Sequence, residues 1–144
     1  MRQEPVIPKQ VVDLLIKAAR EAAGQAYCPY SGYPVGAAAL TSDGQIFTGC
    51  NVENASSGLT VCAERTAMFK AVSSGCRELA AIAVTGGTSR DPAMPCGACR
   101  QVMAEFVRDG LQIFVAGLTG RRVTAVTLGE LLPKAFRLDS KKNK

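Results

Sequence analysis

The chain has 144 residues, 47% of them hydrophobic, enough for a single domain that buries its own core. No apolar run approaches a membrane span, and the opening mixes Arg2, Glu4, Lys9 and Asp13 with apolar residues, unlike a secretory leader. A soluble cytoplasmic protein is expected, with its six cysteines serving as ligands or buried thiols; the net charge of +5 gathers largely in the C-terminal tail, and the absence of histidine leaves metal binding to sulfur and carboxylate and proton transfer to another side chain.

Taken in order, residues 8–26 place Val11, Leu14, Leu15, Ala18, Ala19, Ala22 and Ala23 at spacings of three and four, which predicts an amphipathic helix. Residues 27–34 hold three tyrosines among Pro and Gly and read as a loop, whose rings either cover a flat ligand or plug the edge of the core. Residues 35–40 and 45–52 read as strands joined through Asp43-Gly44, a hairpin signal. At the end of the second strand, Asn51 and Glu53 fall on one side of an extended chain and can bond a vicinal pair of hydroxyls, or they are ordinary strand-end residues.

A helix follows from Cys62 to about Ser74, with Thr60 available as its cap and Gly75 placed to end it. The run 79–85 predicts a strand covered on both faces, and a second cysteine helix follows Pro95 and ends near Asp109-Gly110. Residues 112–116 and 122–127 predict two more strands, and Thr127 with Glu130 has capping-box spacing for a last short helix limited by Pro133. The sum is an α/β three-layer sandwich, a five-stranded mixed sheet with helices on both faces. It forms one domain over 1–144, in which 138–144 is expected to be a flexible basic tail and not a nucleic-acid surface.

The chemistry gathers at Cys62-Ala63-Glu64 and Pro95-Cys96-Gly97-Ala98-Cys99. Three thiolates from two helix starts can hold a zinc ion and leave its fourth position open, the mark of a catalytic site. The sulfurs bring excess negative charge, which two helix N-termini and hydrogen bonds from Arg65 and Arg100 can offset. Glu64, two residues after a ligand, can reach a water at the open position and move its proton. A structural zinc, closed by Cys28, Cys50 or Cys76, is the alternative in a binding module.

These two motifs, together with Ala26-Tyr27-Cys28-Pro29-Tyr30-Ser31, Tyr33-Pro34-Val35-Gly36-Ala37-Ala38, Gly49-Cys50-Asn51-Val52-Glu53-Asn54-Ala55 and Glu130-Leu131-Leu132-Pro133, resemble in order and spacing the small homotetrameric cytidine deaminases of all-cysteine zinc type. The resemblance implies hydrolytic deamination of cytidine and 2′-deoxycytidine to uridine and 2′-deoxyuridine, with release of ammonia, for pyrimidine salvage. It implies Zn2+ on Cys62, Cys96 and Cys99, and Glu64 protonating ring N3 and then the departing amine. It places Asn51 and Glu53 on the ribose, with Glu53 on the 3′-hydroxyl, the Ala63 backbone at the base edge, Tyr33 beside the base, and Phe136 in a neighbouring subunit's site. One position departs: where the family commonly has an aromatic residue closing a neighbour's pocket, this chain has Ser57, which suggests a wider pocket that tolerates cytidines enlarged at N4 or C5. A nucleoside-antibiotic deaminase of blasticidin type shares the zinc motif, but Asn51-x-Glu53 favours a ribonucleoside.

Overall fold

A computed structural model describes residues 6–139. Its elements, in chain order, are α1 (Lys9–Ala23), β1 (Val35–Thr41), β2 (Ile46–Cys50), α2 (Ala63–Ser73), β3 (Leu79–Gly86), α3 (Gly97–Phe106), β4 (Gln112–Ala116), β5 (Val123–Thr127) and α4 (Leu128–Leu131). The strands form one sheet in the order β2-β1-β3-β4-β5, with β3 and β4 parallel and every other neighbouring pair antiparallel. The parallel pair is joined through α3, the crossover such a pair requires.

Alternation along the central strands divides the interior in two. Ala37, Ala39, Ile82, Val84, Ile113 and Val115 face α2 and α3, where Met68 and Met103 fill the space. Ala38, Ala81, Ala83, Phe114 and Ala116 face α1 on the opposite side, against Leu15, Ile16 and Ala19. The α1 side is surfaced mostly by alanine, so the helix lies close: a Cβ placed on Gly36 would sit 1.8 Å from the Ala19 carbonyl oxygen. The expected three-layer α/β sandwich, a mixed five-stranded sheet with helices on both faces, is the observed architecture.

Several local expectations are corrected. The first helix ends at Ala23, not at 26, and buries Leu15, Ile16, Ala19 and Ala23, while Leu14 is exposed. At about 100° per residue, a stripe through those four leaves Leu14 about 150° from its centre. Thr60 does not cap α2, because Cys62 occupies that position and the Thr60 hydroxyl instead accepts the Asn54 N–H. The cysteine helix α3 stops at Phe106, where Val107 turns extended, short of Asp109. Other signals hold as read. Gly44 takes φ 90° in the β1–β2 hairpin. Gly75, at φ 94°, ends α2 in a Schellman arrangement, with the Cys76 N–H bonded to the Ala71 carbonyl and the Gly75 N–H to that of Val72. Thr127 and Glu130 form both bonds of the capping box. Of the expected basic tail, residues 140–144 lie outside the described residues.

Candidate metal centre and active site

Both cysteine motifs place a ligand at the cap of a helix. Cys62 is the N-cap of α2 and Cys96 the N-cap of α3, each with extended backbone, and Cys99 follows in the first turn of α3. Both helices therefore direct their positive ends at one point. Cys62 Sγ lies 3.7 Å from Cys96 Sγ, which lies 3.6 Å from Cys99 Sγ, and all three sulfurs fall within 4.8 Å of one another. Sulfurs roughly 2.3 Å from a common zinc in tetrahedral geometry stand roughly 3.8 Å apart, so the trio fits that ion closely. Cys28, Cys50 and Cys76 are outside the cluster. The structural alternative, which needed one of them as a fourth ligand, has no support among the described residues.

Arg65 and Arg100 prove different. Arg65 Nη2 donates to Cys62 Sγ at 3.4 Å and to the Thr60 carbonyl at the same distance. Arg100 does not reach a sulfur, contrary to the sequence expectation: its Nε donates to the Pro95 carbonyl at 2.8 Å and its Nη1 to the Leu131 carbonyl at 2.9 Å. It steadies the approach to Cys96 and the end of α4 instead. Among the sulfurs, a hydrogen bond from Cys99 and then the Arg65 guanidinium pull the Cys62 thiol down to about 5. The same bond to Cys62, with burial, pushes the Cys99 thiol up.

Glu64 stands in the first turn of α2, 3% exposed, and Ala63 before it is fully buried. Burial raises the Glu64 carboxyl above the ordinary range, partly opposed by a hydrogen bond with Cys99. A carboxyl whose hold on a proton is strengthened by burial, beside the sulfur cluster, suits a group that must carry a proton.

The Asn51-x-Glu53 pair lies where short bridges tie Val52 to Tyr27 on one side and to Val61 on the other. Both side chains turn toward the tyrosine loop. Asn51 Oδ1 accepts the Val35 N–H at 2.9 Å and its Nδ2 donates to the Tyr33 carbonyl at 2.9 Å. Glu53 Oε1 accepts the N–H groups of Tyr30 and Ser31, and Oε2 accepts the Ser31 hydroxyl. Tyr33 is 45% exposed, and a Cβ on Gly87 would meet its hydroxyl at 2.5 Å, so the ring extends to the loop after β3. The three tyrosines do not plug the core, since all are substantially exposed. A hollow of about 410 Å³, lined by Tyr30, Ser31, Glu53, Asn54, Ser57 and Thr60, opens beside Glu53. Phe136 is 68% exposed, while its carbonyl accepts from Gln101 and Arg137 beside it bonds the end of α3. Sequence reasoning passed over Ser31, whose hydroxyl also accepts the Tyr33 N–H two residues on. The serine-turn pattern, a hydroxyl bonding the backbone two positions later, was the signal available.

Three cysteine sulfurs brought together by two helix starts, with a buried carboxylate beside them and an α/β sandwich behind, define an all-cysteine zinc centre of hydrolytic type. The family model of the cytidine and deoxycytidylate deaminase zinc-binding region matches residues 9–115, and the chain belongs to that family. It is 53% identical over 123 residues to a cytidine deaminase of Halalkalibacterium halodurans, covering 85% of this chain and 92% of that one. With a cytidine deaminase of Sporosarcina psychrophila it shares 50% over 125 residues, 87% of this chain and 90% of the other. The crystal structure of cytidine deaminase from Burkholderia pseudomallei superposes with a TM-score of 0.81 at 49% identity, covering 90% of this chain and all of that one.

Proposed function

We propose that this protein is a zinc hydrolase that converts free cytidine and 2′-deoxycytidine to uridine and 2′-deoxyuridine, releasing ammonia, in pyrimidine salvage. The observation that carries this reading is Glu64, buried beside three convergent sulfurs that form one face of a tetrahedron. Cys62, Cys96 and Cys99 would hold the zinc ion, which would supply Lewis-acid activation of water. The chain supplies the rest. Glu64 accepts a proton from the attacking water as the water oxygen bonds to C4, delivers that proton to ring N3, and carries a second, from the new C4 hydroxyl, to the amine as the C4–N bond breaks. Asn51 and Glu53 hold the ribose, the Ala63 backbone meets the base edge, and Tyr33 and a neighbour's Phe136 flank the ring. Arg65 tempers the charge on Cys62 through its hydrogen bond.

The assembly we infer is a homotetramer with sites shared between subunits, in keeping with the exposed rings of Tyr27, Tyr30 and Phe136. A reducing cytoplasmic location accords with six free cysteines, and no helix among the described residues is long and apolar enough to cross a membrane. We infer tolerance of cytidines enlarged at N4 or C5 from Ser57 itself, which brings no ring to close a neighbour's pocket. Ser57→Tyr should then reject such analogues more strongly than the native chain, and equal rejection by both would end that part of the reading.

The deciding experiment follows the ultraviolet change of cytidine and the release of ammonia with Glu64→Ala and native protein, both assayed for zinc. Native protein should turn over, and Glu64→Ala should retain zinc while losing roughly 10²- to 10⁴-fold in kcat, the range for general acid–base catalysis. Zinc-loaded native protein that releases no ammonia from either nucleoside would overturn the assignment.

A further inference from the structure

We propose that Ser31 is a positioning residue that fixes the carboxylate of Glu53 so that one acceptor direction is left for the sugar of the substrate; this rests on the reading of Glu53 as the ribose contact. A carboxylate has about four acceptor sites. On Glu53, two at Oε1 are taken by the N–H groups of Tyr30 at 3.0 Å and Ser31 at 3.1 Å, and one at Oε2 by the Ser31 hydroxyl at 2.5 Å. A single site on Oε2 is left open. The serine hydroxyl is itself fixed, because its oxygen accepts the Tyr33 N–H at 3.0 Å and its hydrogen is thereby directed to Glu53.

One hydroxyl thus sets the orientation of two groups assigned to the substrate, Glu53 by donating and the backbone of Tyr33 by accepting. The two backbone bonds alone hold only Oε1 and leave both acceptor sites on Oε2 without a partner, so the carboxylate can rock about that edge. Ser31 lies on an exposed loop, outside both core clusters, and a change there leaves the packed interior untouched. The hydroxyl bond is also the leading cause that holds the Glu53 carboxyl below the ordinary carboxylate range, as expected of a donor aimed at the charged form.

The test compares native protein, Ser31→Ala, Ser31→Thr and Glu53→Gln on cytidine and 3′-deoxycytidine, with zinc content and thermal midpoint measured in parallel. Ser31→Ala should raise KM for cytidine on the order of tenfold, the effect of losing one bond to a charged group, while kcat moves far less. The rise should be small for 3′-deoxycytidine, which lacks the hydroxyl that Glu53 accepts, and Ser31→Thr, which keeps the donor, should recover most of the loss. A purely structural role would penalise both nucleosides alike, and that result would overturn the proposal. If Glu53→Gln erases the preference for cytidine but Ser31→Ala leaves it whole, the serine proposal alone fails. If Glu53→Gln leaves the preference intact, the ribose reading fails and takes the serine proposal with it.

Discussion

Arg65 and Arg100 each follow a zinc ligand closely in sequence, yet only Arg65 bonds a sulfur, and the two should fail differently. Removing Arg65 takes a donor from Cys62 and leaves the sulfur cluster with more uncompensated negative charge. Arg65→Gln should therefore lower zinc affinity or kcat on the order of 10- to 100-fold, as loss of a group behind a metal ligand generally does, read by chelator competition and steady-state rates. Arg100→Ala instead strips a donor from the Pro95 and Leu131 carbonyls. Its main effect should be a stability loss of about 1–3 kcal/mol in urea unfolding, with kcat of the folded, zinc-loaded fraction affected less. Glu53 gives a prediction in pH. The Ser31 hydroxyl first, and the Ser31 and Tyr30 amides with it, hold its carboxyl below the ordinary 4.5. A depressed folded value means the stabilisation is complete above the unfolded value and is lost as pH falls through the folded one. Glu53→Gln removes that term, so its thermal midpoint should fall less steeply than the native one on acidification below about pH 4.5. Parallel acid limbs would show that the carboxylate clamp contributes nothing.

At the scale of elements, the metal site depends on how closely α2 lies against β2. A Cβ on Gly49 would come within 2.4 Å of the Ala67 nitrogen and 2.8 Å of the Ala63 oxygen, backbone atoms in the helix that Cys62 caps. Gly49→Ala must push the first turns of α2 outward, and with them Cys62 and Glu64. The expected result is a loss of about 1–3 kcal/mol or more, with zinc retention falling alongside it, followed by thermal melts and metal analysis. Gly58→Ala, where nothing lies within 4 Å and φ is not positive, serves as the neutral comparison for both readings. This dependence also explains what was readable beforehand. The strands were legible because the short apolar runs at 79–85 and 112–116 are local signals of strands covered on both faces, and the cysteine trio because its spacing encodes a ligand set. The cap of α2 was not, since Thr60 is the better cap by type, and Cys62 takes the position through the placement of the site. Nor was the division between Arg65 and Arg100, which depends on where the end of α4 lies, 31 residues beyond Arg100. The outward turn of Leu14 likewise reflects which face of α1 the alanine-lined sheet admits.

Over the whole molecule, the chain fixes an aromatic ring that it does not bury. Phe136 is 68% exposed, yet the backbone around it is held by Gln101 through the Phe136 carbonyl, and by Arg137 through the Ala104 and Val107 carbonyls and the carboxylate of Asp109. Ordering a segment costs conformational entropy, and a ring ordered in water recovers little of it, so the return is expected at a surface beyond this chain. If that surface is a neighbour's nucleoside site, two defective chains should repair each other. Phe136→Ala keeps its own Glu64 but offers no ring, whereas Glu64→Gln offers a ring but cannot move the proton. When the two are mixed under conditions of subunit exchange, the intact Glu64 of one chain can receive Phe136 from the other, and cytidine turnover should rise above the sum of the two proteins assayed apart. The gain should disappear when both defects are placed in one chain and mixed with Glu64→Gln at the same total concentration, because no assembly then contains an intact Glu64. Turnover that never exceeds the sum, in mixtures shown by native mass spectrometry to have exchanged subunits, would mean that Phe136 serves its own chain or no site at all.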